Sequence, residues 1–497
     1  MNKLIIITIC GLLFTSASSC KKFLEKAPDN RAELSTAANV AKLVATAYPN
    51  APYGPLGEMY SDNVSDKGPN ATSVNLDYPL PQLYKFEDIE ESGYNTPAAF
   101  WNGAYEGIAA ANQALDAIAK NDIGPSANPY KGEALVARAF SHFLLVTFFA
   151  KPYDPEGAND TPGIPYVLTP ETNPFVKYGR GTVASVYAQI EKDLETGIPL
   201  LSGGEWQVPA YHFTPAAAHA FAARFYLFKK QWQKVVDHAN LVVPNGDFTG
   251  SIRNYPAAAS LTSDGTAYAN FFCNGDAKFN LLVHEMDSRY QRSNFFANRY
   301  TFGPAVYSWY TAPNVTGTKF YTVGYTYGTG NYTLSKLREF FFVTNAAANI
   351  GYPMLQMPLL TTDEALLNRA EAYLQLGNYD GALADLNMCA RYKFTAYNPA
   401  TMAVTLAKAK GFYKVNGVEA DDKTAVLNTI LDFKRWTFMN EGMRYWDMIR
   451  YKMPIKHLLI ANDNSESFIT LEPNDNRRIF QIPNDAVQLG GLQPNPR

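Results

Sequence analysis

Apolar residues recur at three- and four-residue intervals in several stretches of this chain, the mark of helices that bury one face. The spacing predicts helices over residues 37–47, 98–120, 133–149 and 183–194. Thr96-Pro97 supplies a cap and a first-turn proline for the second of these. Lys151-Pro152 closes the third, and Gly197 with Pro199 closes the fourth. Elsewhere the periodicity fails. Residues 50–97 and 151–180 are studded with proline, and residues 251–357 are rich in Gly, Asn, Thr and Tyr. Short alternating runs such as Phe320 to Tyr327 lead there into Gly328-Thr329-Gly330-Asn331, which reads as a hairpin turn. Long loops inside a globular body tend to be functional, so 50–97 and 251–357 are expected to form a ligand-facing surface.

Two helical stretches share a plan. Ala220, Ala223, Phe225 and Tyr226 lead into Lys230-Gln231-Trp232, and Leu367, Ala370, Ala372 and Tyr373 lead into Gly377-Asn378-Tyr379. Small residues sit where two helices cross, an aromatic marks the turn, and a second apolar helix returns. That is the tetratricopeptide plan of antiparallel helix pairs, placed here at 215–243 and 361–390. Thr214-Pro215 and Thr361-Thr362-Asp363 supply the opening caps. The expected fold class is mostly α: a tetratricopeptide-like helical-pair scaffold with long irregular loops and a few short β-hairpins.

The N-terminus has a different pattern. Met1-Asn2-Lys3 is basic, Leu4 to Phe14 is almost unbroken apolar sequence, and Ala17-Ser18-Ser19 precedes Cys20. This is the layout of a secretory signal peptide over residues 1–19. The cysteine after small residues resembles a bacterial lipoprotein signal, which makes Cys20 the lipidated first residue of a single domain, 20–497. An ordinary cleaved signal with an unrelated cysteine is the alternative. Beyond it, no apolar run approaches the roughly 20 residues of a membrane helix, which leaves the lipid as anchor.

A net charge of −3 with only 18% charged residues excludes the basic surplus that nucleic acid binding needs. Cys10 departs with the signal, so Cys273 and Cys389 remain, far apart and read as two buried thiols, with a disulfide as the alternative.

The C-terminal segment reads Lys434-Arg435-Trp436 through Asn440-Glu441-Gly442-Met443-Arg444-Tyr445-Trp446-Asp447-Met448-Ile449-Arg450, and the tail runs Ile482-Pro483 to Gln493-Pro494-Asn495-Pro496. Together with the lipoprotein signal and the helix pairs, these resemble the SusD/RagB family of Bacteroidetes outer-membrane lipoproteins. Phe433 and Thr437 stand where that family usually has glutamates. The resemblance implies a cell-surface, outer-membrane lipoprotein that is not an enzyme. It would capture oligosaccharide and deliver it to a SusC-like TonB-dependent transporter, acting as a lid on the barrel. Peptide capture for such a transporter, or a helical-repeat envelope scaffold, are the other readings. Read as one helix, 434–450 puts Glu441, Arg444, Asp447 and Arg450 on one face as an ion-pair network.

Catalytic signatures are absent: there is no G-x-S-x-G, P-loop, CxxC or H-E-x-x-H. His284-Glu285 lacks its second histidine, since position 288 is serine. Asp62 and Asp66 are a weak calcium candidate with the wrong loop spacing, and Glu285 with Asp287 is the formal glycosidase pair. No cofactor or resident metal is expected. The stronger signal is aromatic: residues 290–332 hold 13 aromatics in 43 positions against 14% overall, with no acid between Asp287 and Glu339. Sugar rings present apolar C–H faces to aromatic rings, and their hydroxyls need amides or charges beside them. The expected ligand residues are Trp309 and Tyr310 first, then Tyr307, Tyr290, Asn298 and Arg299, with Tyr78 and Tyr84 from the other loop.

Overall fold

In the computed structural model the described residues are 34–497, apart from 70, 72–77, 172, 174–175, 262–264, 292–298, 321–324, 327–331 and 335. Cys20 and Asn298 therefore lie outside the described residues, as does the expected turn at 328–331.

The molecule is mostly helical, as its periodicity predicts. Helix α1 (Ala37–Val44) lies on α2 (Pro97–Lys120) and α3 (Asn128–Phe149). Helix α4 (Val183–Gly197) returns along α3, then come the pair α5 (Pro215–Phe228) and α6 (Trp232–Asn240) and the pair α8 (Thr362–Gln375) and α9 (Tyr379–Lys393). Between the two pairs sits α7 (Pro304–Thr311), and after them α10 (Asp422–Thr437) and α11 (Arg444–Arg450) complete the array. Small residues let the pairs approach: Ala217, Ala220, Ala223, Ala365, Ala370 and Ala372 are all buried at crossings. Trp232 and Tyr379 begin the returning helices, as their place after the turn suggests.

Helix α3 is the axis of the core. Every residue from Gly132 to Phe149 is buried, so a helix whose length and apolarity match a membrane span has all but its first turn inside the protein. Its buried polar groups fix its neighbours. Arg138 donates to Asp193 of α4 at 2.7 Å and to Asn112 of α2 at 2.8 Å. Glu133 accepts from Tyr48 (2.6 Å), Trp206 (2.7 Å) and His212 (2.7 Å). Buried charge persists only where such partners exist.

The stretch 251–357 is more regular than its composition suggests. Strands β1 (Asn280–Asp287), β2 (Arg338–Asn345) and β3 (Ile350–Thr361) form an antiparallel sheet in the order β1–β3–β2. Two short strands, Tyr325–Thr326 and Tyr332–Thr333, pair on either side of the expected turn. Aromatics expected on a loop, Tyr307, Trp309 and Tyr310, instead belong to α7, which Gly303-Pro304 opens and Val306 and Tyr310 anchor in the core.

A second correction concerns 434–450, which is two helices. Between them Asn440 and Gly442 adopt φ 68 and 75. The Glu58 carboxylate accepts the N–H groups of both, at 2.8 and 3.0 Å, so the break is held by a residue almost 400 positions away. A Cβ at Gly442 would lie 2.6 Å from the Gly54 carbonyl oxygen, so only glycine fits. The ion pairs follow the break. Asp447 does bond Arg450 at 2.7 Å, but Glu441 is held by Arg253 (2.8 Å) and Lys336, Arg444 by Asp62 (2.9 Å), and Arg450 by Glu371 (2.6 Å). The tail docks by Asn495, which donates to the carbonyls of Phe149 (2.9 Å) and Phe480 (2.7 Å). Cys273 and Cys389 are both buried free thiols, each pushed up to about 12 first by burial.

Candidate functional site

Most of the expected aromatic residues are engaged inside the protein. Tyr290 is fully buried and donates to Asn440 at 2.7 Å; Tyr84 is fully buried and donates to the Leu458 carbonyl at 2.7 Å. Tyr310 is buried among Phe302 and Phe320. Trp309 is half-buried between Trp436, stacked at 5.3 Å, and the Arg435 guanidinium, 3.7 Å above its ring. Tyr307 stacks on Tyr332 at 4.0 Å. Arg299 is clasped by Asp66 at 2.5 and 2.8 Å. The two calcium candidates are likewise taken by guanidinium groups, Asp62 by Arg444 and Arg435, Asp66 by Arg299. His284, from the rejected zinc motif, lies 5.2 Å from the Tyr48 ring. Tyr78 alone of the expected tyrosines keeps substantial exposure (37%), its hydroxyl 3.3 Å from the Glu91 carbonyl.

Glu91 leads to where the two expected ligand segments do meet. A polar cleft of about 330 Å³ lies between residues 50–51, 92–106 and the end of β1 at Asp287. Its floor begins at the start of α2. Thr96 caps the helix, accepting the Ala99 N–H at 3.1 Å, and Pro97 takes the first position. Ala99, Asn102 and Glu106 then follow at spacings of three and four, one stripe of the helix, and all three line the cleft. The neighbouring position is glycine for a steric reason: a Cβ on Gly103 would stand 2.8 Å from the Ala51 nitrogen. The close approach lets Asn50 bridge helix and sheet. Its N–H donates to the Gly103 carbonyl (3.2 Å), and its carbonyl accepts the Asp287 N–H (3.0 Å).

The opposite wall is pinned by Asn95, in the left-handed region at φ 64, whose side-chain oxygen accepts from Ser288 at 2.7 Å. That bond sets Tyr94 beside Arg289, whose guanidinium lies 4.6 Å from the ring centroid. The cleft thus gathers a half-buried tyrosine, the amides of Asn50 and Asn102, and the carboxylates of Glu106 and Asp287. Partial burial, then the nearby Glu106 charge, push the Asp287 carboxyl above its ordinary value. Among the described residues, neither carboxylate has an ion-pair partner. Chemically this is a surface for hydroxyl groups: acceptors from two acids, donors and acceptors from two amides, and a ring face.

Two other cavities are larger or more apolar. One of about 480 Å³ lies beside the turn of the α5/α6 pair, and one of about 200 Å³ lies between α2, residues 165–178 and the C-terminal tail. Neither draws on both loop segments. Asn50, Tyr94, Asn102 and Glu106 were not singled out by aromatic density, because each stands alone in sequence. The signal that marks them is the capped helix start at Tyr94-Asn95-Thr96-Pro97 followed by Asn102-Gly103 and Glu106-Gly107.

A family model described as "SusD family" matches residues 236–489, and one described as "Starch-binding associating with outer membrane" matches residues 22–227. No curated protein matches the chain. Among solved structures, a protein from Bacteroides vulgatus described as sugar binding superposes with a TM-score of 0.67 at 17% identity, covering 94% of this chain and 99% of that one. A SusD superfamily protein from Bacteroides thetaiotaomicron gives 0.61 at 19%, covering 93% and 100%. A SusD-like carbohydrate binding protein from Bacteroides vulgatus gives 0.61 at 16%, covering 92% and 97%. At these identities the structural likeness concerns the fold.

Proposed function

This chain belongs to the SusD family, and from that premise we propose that it is a cell-surface lipoprotein that captures oligosaccharide and hands it to a SusC-like TonB-dependent transporter. The observation that carries the ligand class is the cleft between Tyr94, Asn102, Glu106 and Asp287. Its ring, amides and unclasped carboxylates match the alternating apolar faces and hydroxyl edges of a sugar. It binds and does not cleave: the acids serve as hydroxyl acceptors. Neighbours described as sugar binding and carbohydrate binding support the same reading. The helix pairs α5/α6 and α8/α9 offer the broad rigid face suited to a barrel partner.

A glycan array probed with the full-length protein in mild detergent tests the ligand class. Binding to a defined set of neutral oligosaccharides is expected, and binding confined to a parallel peptide array would overturn it. Co-purification with a TonB-dependent barrel at native expression tests the partner. The anchor is tested by Cys20→Ala in cells lacking that barrel: membrane retention should be lost, since no second anchor is proposed.

A further inference from the structure

The cavity of about 480 Å³ beside the α5/α6 turn lies away from the polar cleft and has the opposite charge. Five chain segments meet around it: 151–155, the turn between α5 and α6, the end of α8, the end of α11, and 473–479. Trp232 and Tyr153, both half-buried, supply ring faces, and Asn474 supplies an exposed amide. Lys151, Lys230 and Lys452 are exposed at its mouth, and among the described residues none of their ammonium groups has an ion-pair or hydrogen-bond partner. The other basic groups there are committed. Arg450 is held by Glu371 and Asp447, and Arg478 donates to the carbonyls of Met448 and Met453. Of the acids, Asp475 holds Arg477, and Asp154 accepts the Glu156 N–H. Three free positive charges therefore face one acid that caps its own turn.

Two of the three lysines occupy unusual backbone. Lys230 follows α5 at φ 53; its N–H donates to Leu227 (3.1 Å) and the next N–H, of Gln231, to Tyr226 (3.0 Å). Lys452 follows α11 at φ 51 with the same pattern, to Ile449 (3.2 Å) and from Met453 to Met448 (2.8 Å). Both are helix ends in which the left-handed residue is most often glycine, and α8 uses Gly377 in that role. A cation near a helix C-terminus is favourable in itself, which accounts for one lysine at each end. It does not account for their convergence on one cavity with Lys151 from a third segment, or for the ring faces between them. It does remove an obstacle, because a positive charge at each helix end offsets the negative carbonyl end that would otherwise repel an anion.

We propose that this cavity is a second ligand site, selective for a carboxylate-bearing sugar ring such as a uronic acid unit. The volume falls in the range of small-ligand sites, about 300–1,000 Å³. Trp232 and Tyr153 take the ring faces, Asn474 the hydroxyls, and the lysines the carboxylate. The acidic cleft at Glu106 and Asp287 would repel the same ligand, so the two sites sort neutral from acidic sugars.

Calorimetric titration of the full-length protein in detergent with trigalacturonate tests this, with a neutral trisaccharide and a tetraglutamate peptide as controls. Trigalacturonate should bind, and its affinity should fall as sodium chloride rises from about 50 to about 500 mM. Lys230→Gly with Lys452→Gly should weaken it by about tenfold or more, a change of about 1.4 kcal/mol, while the melting temperature holds or rises because glycine suits both positions. Trp232→Ala should weaken it too. Absence of trigalacturonate binding overturns the proposal. So does unchanged affinity in the double glycine variant, or tetraglutamate binding as tightly as trigalacturonate.

Discussion

Acidic residues behave in opposite ways at the α10–α11 junction and at the α2–β1 cleft. At the junction Glu371, Glu441 and Asp447 are each clasped by a cation, and Glu58 is held by two backbone N–H groups. Glu371 is fully buried and takes Lys434 (2.5 Å), Arg450 (2.6 Å) and the Tyr451 hydroxyl (2.6 Å). Burial pushes its carboxyl up, but the Arg450 and Lys434 charges outweigh that and hold it well below the usual carboxylate range. At the cleft, Glu106 and Asp287 have no ion-pair partner among the described residues, and Asp287 moves the other way. Closed networks of this kind fix how distant segments meet. Acids left without partners at an open surface are available to something else.

Removing one member of the closed network should give the largest effect. Glu371→Ala leaves Lys434 buried without its acid and Arg450 with Asp447 alone, which costs about 3–5 kcal/mol. Urea denaturation at neutral pH measures it, and a loss below about 1 kcal/mol would mean that the network contributes little. The same residue gives a pH signature. Its folded value lies below its ordinary 4.5, so its stabilisation is complete above about pH 4.5 and is lost as pH falls toward the folded value. Glu371→Gln should flatten that acid limb.

Next in size is Trp309→Ala, which strips a half-buried ring from between Trp436 and Arg435. A stability loss of about 2–3 kcal/mol is expected, with glycan affinity unchanged. Lost affinity with an intact fold would move the binding site to α7 and dissolve the contrast. Gly103→Ala tests how the cleft is built. Its Cβ meets the Ala51 nitrogen, so about 1–3 kcal/mol of stability should go, and binding should weaken with it because Asn50 must move.

Smaller still, Tyr94→Ala should weaken glycan binding by about tenfold while leaving the melting temperature nearly unchanged. The smallest effect belongs to Glu106→Gln, which should lower the Asp287 carboxyl toward its ordinary value in a ¹³C carboxyl titration. Since Asp287 takes up its proton at a higher pH than an ordinary aspartate, native glycan affinity should begin to fall above about pH 4 on acidification. The glutamine variant should shift that onset downward. An Asp287 titration unmoved by the substitution would show that burial alone shifts it.

The helix starts were legible because their causes are local. Thr96-Pro97, Thr214-Pro215 and Thr361 are caps within three residues of what they bond, and small residues at helix spacing marked the crossings of α5/α6 and α8/α9. Helix α7 was not legible. It is eight residues long, sits between glycine- and proline-rich flanks, and owes its place to Val306 and Tyr310 packing in the core. The continuous helix read over 434–450 failed for a related reason: periodicity carries no sign that Glu58 will capture two of its N–H groups.

The sequence by itself determined the helical class, the paired plan and the membership signalled by the C-terminal motifs. Periodicity, caps and turn residues act over a few positions, and the chain states them directly. Tertiary structure alone decided which rings and charges remain free. Arg299 and Asp66 are 233 positions apart, and Arg253 and Glu441 are 188. Aromatic density named residues that mostly pack inward. An aromatic ring lowers its free energy against other apolar surface wherever folding brings it. The rings and acids left for a ligand are those whose partners the fold did not supply.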